Sequence, residues 1–340
     1  MRRLDAVFGR PWNFVKENSR LLRIVKATSS RRSRKKREQV MDTLKTLTYD
    51  VTGAIARIVL NRPERGNGIT FEMPAELAAC VERANLDPAV HVIALSGNGK
   101  GFCGGYDLVM TAEQKPGSEG ELTGWPKGSP MDPKVQLANH DPEGTWDPIV
   151  DYAMMSRNVR GFMSLFYSDK PVVCKVHGFC VAGGTDMALC SDLLIIEDTA
   201  PIGYPPARAW GVPTTALWAY RIGAAKAKRL LFTGDCLTGK QAAAWGLATE
   251  SAPADKLVER FENLLARVAR LPINQLVMMK LLINQTLLGQ GLHESQMLGT
   301  LFDGIARHTK EGYAFQQRAG EVGFKQAVKE RDEPFTGGVE

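Results

Sequence analysis

The sequence predicts an α/β core followed by a helical appendage. Three observations lead there. Short apolar runs with strand character alternate with helical periodicities through Ile196, the pattern turns helical from Thr214 to Lys310, and a small-residue turn follows each of two apolar strands.

Taken in order, Val51–Leu60 (VTGAIARIVL) reads as a hairpin, with a Thr-Gly turn and then alternating apolar residues. Asn61-Arg62-Pro63 ends the strand, and Glu72–Leu86 has helical spacing that stops before Pro88. His91–Ser96 is a short apolar strand that leads into the glycine-rich stretch Gly97–Gly105. Residues 112–149 hold six of the 18 prolines and show no periodicity, so they read as a long loop of functional or disordered character. Val150–Leu165 reads as a helix and Pro171–Val176 as a buried strand. A second turn, Gly178–Gly184, opens a helix over Thr185–Cys190, and Leu193–Ile196 is another strand. No repeat of the kind that builds a solenoid of identical units is present.

Bulk properties exclude several classes. No apolar run approaches the ~20 residues that cross a bilayer. The six cysteines form no CxxC pair and read as buried free thiols, and no histidines are spaced as metal ligands, so no metal is expected. The first 40 residues hold 13 Lys/Arg and three acids, a charge of +10, which leaves the remainder at −4 against +6 for the whole chain. The body therefore carries no nucleic-acid footprint. The basic arm reads as a disordered tail, a targeting peptide, or an upstream extension of a protein starting at Met41. The strand-like sequence just after Met41 favours the extension, and the arm is given no catalytic role. Without an apolar segment of secretory length, a cytoplasmic location is expected.

The first turn contains Gly99-Lys100-Gly101-Phe102-Cys103-Gly104, literally a G-x-G-x-x-G. A dinucleotide site needs a helix directly after the glycines and a second strand ending in an acid, and neither follows. The second turn, Gly178-Phe179-Cys180-Val181-Ala182-Gly183-Gly184, joins a buried strand to a helix. Its small residues allow close approach to the backbone, and the N–H groups at the helix start lack intrahelical partners. It could hold negative charge on an oxygen, or it could serve only tight helix–strand packing.

Together the turns carry a resemblance. GNGKGFCGGYDL (97–108) and KPVVCKVHGFCVAGGTDMALCSDLLI (170–195) resemble the two signatures of the enoyl-CoA hydratase/isomerase, or crotonase, family. LNRPERGNGIT (60–70), LLFTGDCLTGKQAAAWGLATE (230–250) and Lys310-Glu311-Gly312 are similar to further family segments, in the same order, so the likeness spans about residues 43–335. The resemblance implies a crotonase (ClpP-like) fold, with a repeated ββα spiral core over 41–265, a Pro-rich insertion at 112–149 and a helical trimerisation region over 266–340. It implies homotrimers, often paired into hexamers. It also implies a coenzyme A thioester as substrate, with coenzyme A as part of that substrate and no separate cofactor.

Carried over by position, the resemblance assigns Tyr106 and Gly183 as backbone N–H donors to the thioester oxygen. Gly104 would offer its carbonyl to the adenine, Arg65 would meet the phosphates, and Lys329 (with Arg331 nearby) would be the C-terminal basic contact. The family's two glutamates activate water and shuttle a proton. At the first position this chain has Asp186; at the second it has Pro206, and Thr199–Gly234 contains no acid. Tyr204 and Arg208 stand beside that gap as contacts for a polar acyl group, although Arg208 could instead pack on Trp210. In the insertion, His140, Asp141, Glu143 and Asp147, with Asp151 on the following helix, are candidate substitutes, His140-Asp141 first among them. Asp107 and Asp192 are expected to brace local structure, and His177 to be a satisfied core histidine. The expected activity is nominal hydration of a 2-enoyl-CoA carrying a bulky or ring-containing acyl group. A thioester isomerase, hydrolase or C–C lyase with a non-standard acid/base, and a catalytically weak CoA-ester-binding subunit, are the alternatives.

Overall fold

The computed structural model describes residues 44–107 and 125–335. The basic arm and the first part of the insertion, with Glu119 and Glu121, lie outside them. Strands β1 (Leu47–Thr52) and β2 (Ile55–Leu60) form the expected hairpin, closed at Gly53 with φ 59°. Helix α1 (Met73–Leu86) and β3 (Val92–Gly97) follow. The insertion contributes α2 (Pro133–Asn139), capped by the Asp132 carboxylate on the Lys134 N–H, and leads into α3 (Pro148–Phe166), capped in the same way by Asp147. The aperiodic reading of 112–149 missed α2, whose seven residues are too few to display a period.

The spiral is built next. Strand β4 (Val172–Val176), β5 (Cys180–Val181) and α4 (Gly183–Leu189) form one ββα turn; β6 (Leu193–Glu197) and β7 (Ile202–Gly203) begin another, which runs through a 3-10 turn to α5 (Trp218–Thr233). Strand β8 (Cys236–Leu237), α6 (Gly239–Trp245) and β9 (Glu250–Ala252) complete it. The large sheet runs β1-β2-β3-β4-β6-β9, parallel from β2 onward, and a small sheet runs β5-β7-β8. Each coil thus gives one strand to either sheet. The stretch from Thr214 to Lys310 is not helical throughout, because β8 and β9 interrupt it; pieces of two and three residues are held by backbone pairing and leave no side-chain pattern.

Helices α7 (Ala254–Ala269), α8 (Ile273–Gly289), α9 (Leu292–Arg307), α10 (Lys310–Val322) and α11 (Phe324–Asp332) form the C-terminal part. One sheet face buries Val92, Ala94, Val173 and Ile195 against Leu257, Phe261 and Leu265 of α7. Helices α1 and α3 touch backbone to side chain, since a Cβ on Gly161 would lie 2.4 Å from Pro74 Cβ. Buried Lys280 of α8 donates to the Leu165 carbonyl at 2.9 Å and pairs with Asp192 at 2.8 Å, which ties the C-terminal helices to the core. Five of the six cysteines are buried and all are free. Among the described residues, no helix is long and apolar enough to cross a membrane.

Candidate active site

The two glycine-rich turns meet backbone to backbone. Asn67, buried with φ 53°, donates through one amide to the carbonyls of Asn98, Gly101 and Phe102 at 2.8–3.0 Å and so fixes the first turn. A Cβ on Gly178, at φ +64°, would fall 1.8 Å from the Lys100 carbonyl, and one on Gly184 would fall 2.5 Å from the Cys103 carbonyl. Bridges pair Cys103 with Cys180 and Ile69 with Tyr106. His177 lies just beyond β4 rather than within it, and its Nε2 bonds the Gly99 carbonyl at 2.9 Å, a further tie between the turns.

This packing leaves donors unspent. The Gly104 N–H is bonded to the Gly66 carbonyl, Asp107 to Ile69, Ala182 to Gly203 and Thr185 to Ala182. Between them, the N–H groups of Gly105 and Tyr106 on the first turn, and of Gly183 and Gly184 on the second, have no such acceptor among the described residues. Tyr106 and Gly183 are the two that the family resemblance singles out. The turns meet here: a Cβ on Gly105, the residue before Tyr106, would lie 3.4 Å from the Gly183 nitrogen. Gly183 is the first residue of α4, where a helix exposes its N–H groups. Ala182 before it holds φ 54°, ψ −132°, a conformation that costs a non-glycine residue roughly 1–3 kcal/mol and that gathers at functional sites.

A cavity of about 230 Å³ opens beside Tyr106. Ile69, Phe71, Met154, Met155, Trp210 and Phe315 make most of it apolar. Its polar lining includes Asp107, His140, Asn158, Asp303 and Arg307. The Tyr106 ring lines the cavity and also packs on Gly183, whose missing Cβ would be 2.8 Å from Tyr106 Cε2.

The sequence-predicted residues fall into place unevenly. Tyr106 and His140 reach the cavity. His140 Nδ1 sits 3.2 Å from His308 Nε2, and burial, with the charge that His308 and Arg307 can carry, pushes its pKa down to about 4. Asp141 and Glu143 are exposed, and Asp147 is spent as a helix cap. Arg65 pairs with Asp107 at 2.8 Å while a third of its side chain stays exposed; Asp107, which Arg62 also grips, is held below the usual carboxylate range despite its burial. Gly104 and Lys329 are exposed and lie outside the cavity wall.

Three expectations need correction. Arg208 does not face the cavity; it pairs with Asp235 at 3.0 Å and Asp332 at 3.2 Å and lies over the Phe335 ring. Tyr204 is buried outside the cavity with its hydroxyl on the Val212 carbonyl. Asp186 is fully buried beneath the cavity wall rather than in it. Its carboxylate accepts from the Thr215 N–H and Oγ1 at 3.2 and 2.8 Å and from the Thr214 N–H and Oγ1 at 3.4 Å, which ties the start of α4 to the chain ahead of α5.

Burial raises the Asp186 pKa from 3.8 to about 7 against the pull of those donors, with Asp303 adding to the rise. The folded protein therefore keeps this proton where the unfolded chain has lost it. Stability from the group is full below about pH 4 and is lost as pH rises toward 7. Asp186→Asn turns an NH₂ toward one of two backbone donors, so it is expected to cost about 1–3 kcal/mol at pH 4 and to flatten the slope between pH 4 and 7. Thermal melts across that range check both effects; an unchanged slope would show that Asp186 does not titrate there.

Sequence reading missed Asp303 and Arg307 on α9. Asp303 Oδ2 lies 3.3 Å from Arg307 Nε, and the Arg307 guanidinium reaches Asp151 at 2.9 Å. Burial lifts the Asp303 pKa to about 6, with Arg307 opposing and Asp151 adding. Asp151 itself is 2% exposed and also accepts from Trp146 Nε1 at 2.7 Å and Asn139 Nδ2 at 3.1 Å.

Comparison with known proteins places this geometry. The enoyl-CoA hydratase/isomerase family model matches residues 50–127 and 147–323. A crystal structure of an enoyl-CoA hydratase from Mycobacterium smegmatis superposes with a TM-score of 0.80 at 55% identity, covering 86% of this chain and 95% of that one. The (E)-benzylidenesuccinyl-CoA hydratase of Thauera aromatica is 28% identical over 80% of this chain and 96% of its own length. The 1,2-epoxyphenylacetyl-CoA isomerase of Escherichia coli is 28% identical over 69% of this chain and 80% of its own. With its spiral of crotonase type and a family match that spans both glycine turns, the chain belongs to the enoyl-CoA hydratase/isomerase family.

Proposed function

We propose that the protein acts on a coenzyme A thioester, nominally adding water across the double bond of a 2-enoyl-CoA whose acyl group is bulky and apolar. The carrying observation is that the N–H groups of Tyr106 and Gly183 are unspent where the two turns meet, with Tyr106 lining an apolar cavity and Gly183 packed against its ring. Aimed at a thioester oxygen, each donor of this kind is worth about 2.7–4 kcal/mol as that oxygen becomes an enolate. The aromatic and methionine lining favours a ring-bearing acyl group over a short straight chain. It is consistent with this reading that two relatives of similar identity are named for phenyl-bearing thioesters. Coenzyme A enters only as part of the substrate, its phosphates near Arg65 and its adenine near Gly104.

Assembly as a homotrimer in the cytoplasm belongs to the same proposal. Exposed apolar side chains of α8 and α9, among them Leu282, Ile283, Met297 and Phe302, suit such contacts.

The test is loss of the conjugated-thioester absorbance when the purified full chain meets crotonyl-CoA and cinnamoyl-CoA. Turnover with preference for cinnamoyl-CoA is expected. Equal rates on both would remove the bulky-acyl claim, and binding without turnover of any thioester would replace the enzyme with a CoA-ester-binding subunit.

A further inference from the structure

We propose that Asp303, carried by a C-terminal helix, is the proton carrier of this site, in place of the family glutamate whose position Pro206 occupies. The inference rests on the acyl-CoA reading above and names the residue that does its proton transfer.

Among the described residues, two carboxylates line the cavity, Asp107 and Asp303. Asp107 is gripped by Arg62 and Arg65, both at 2.8 Å, which commits it to the anion. Asp303 differs. Its side chain is about 10% exposed, its one ion pair is the 3.3 Å approach of Arg307 Nε, and no other donor is bonded to its carboxylate among the described residues. It lines the same cavity as Tyr106, whose backbone N–H is unspent. Asp303 also shares an electrostatic field with Asp186, Tyr106 and Tyr204. The charged and titratable groups around it are Arg307 on its own helix, Asp151 on α3, Asp186 on α4, His140 after α2, and the phenols of Tyr106 and Tyr204. Burial leaves its ionisation near pH 6, where a group can both take and give a proton at neutral pH. His140, the other titratable group in the cavity, is pushed down to about 4 and is the weaker base.

The step balances with this one carboxylate. Asp303 takes a proton from water as the water oxygen bonds to C3. The C2=C3 pair shifts so that the thioester oxygen becomes an enolate, held by the two N–H groups. The enolate collapses and C2 takes the proton back from Asp303, so one water is added and the carboxylate is regenerated. Run on a saturated thioester, the same group removes and returns an α-proton.

The experiment follows exchange of the α-protons of 3-phenylpropionyl-CoA in D₂O by NMR, beside cinnamoyl-CoA hydration, on the full chain. Asp303→Asn is expected to lower both rates about 10²–10⁴-fold while KM moves less than threefold and cinnamoyl-CoA still binds. The wild-type kcat/KM is expected to rise with pH on a limb near 6, and that limb should vanish in the variant. Should Asp303→Asn not fold, Asp303→Glu decides: it keeps the carboxylate but moves it by one methylene, so altered kcat and a displaced limb support the role. An active wild type with rates and limb unchanged in whichever variant folds overturns the inference alone. A wild type that neither exchanges nor hydrates overturns the acyl-CoA reading and this inference with it.

Discussion

Replacing Gly183 by proline is expected to lower turnover of cinnamoyl-CoA by about 10²–10³-fold with the fold retained. Proline removes one N–H and nothing else polar. Gly183 is the first residue of α4, where a missing N–H breaks no intrahelical bond and the proline φ suits the helix; its ring also restricts Ala182, already strained at φ 54°, so a lower melting temperature is expected alongside. Gly183→Ala is the matched control. It keeps the donor but places a Cβ 2.8 Å from Tyr106 Cε2 and 3.0 Å from Ile69 Cδ1. Both are side-chain atoms at the cavity and can yield. Proline carries the same Cβ, so both variants should show a raised KM, and the proline variant alone should add the large loss of kcat. Steady-state kinetics on both, with melting curves to confirm folding, separate the effects. Equal kcat in the two variants would mean that the Gly183 N–H does not bind the reacting oxygen.

That contrast depends on features the sequence displays openly. The glycine turns are legible because backbone collisions admit no other residue: a side chain at Gly178 or Gly184 would strike a carbonyl. The hairpin is legible from the Thr52-Gly53 turn and its alternation, and the absent glutamate from Pro206 in an acid-free stretch. Other features leave no local mark. Asp303 and Arg307 are spaced i, i+4 on a helix with exposed Met297, Phe302 and Ile305, a pattern that reads as a surface ion pair. Only tertiary packing turns them inward, where a Cβ on Gly304 would come within 2.9 Å of Asp151. Arg208 misleads for a related reason: its partners Asp235 and Asp332 lie on distant segments, so nothing near it in sequence shows that its charge is spent. The resemblance puts Asp186 at the family's acid position, yet Thr214 and Thr215 make it a brace, and two threonines in a loop carry no signal of that use.

Asp151→Ala is expected to destabilise the protein by about 3–5 kcal/mol and to shift the chemistry as well. Asp151 joins α3 to three other pieces of chain: Asn139 at the end of α2, Trp146 in the following loop, and Arg307 and His308 at the end of α9. Its removal leaves a buried guanidinium with Asp303 as its remaining acidic partner among the described residues, and an indole N–H without its acceptor. Both changes act on Asp303 in one direction. Asp151 raises the Asp303 pKa and Arg307 lowers it, so deleting Asp151 removes the first influence and lets Arg307 turn fully to Asp303. The Asp303 pKa then falls from about 6, and the rising limb of kcat/KM moves to lower pH. A weaker base also transfers protons less readily, so the plateau rate should drop even where the variant is fully folded. Asp151→Asn should lose less stability, since its amide oxygen can still accept one of these bonds, but should move the limb in the same direction because the charge is gone. A purely structural role for Asp151 predicts lower melting temperatures in both variants with the limb unmoved, and that outcome would detach Asp151 from the Asp303 proton while leaving its place in the fold intact.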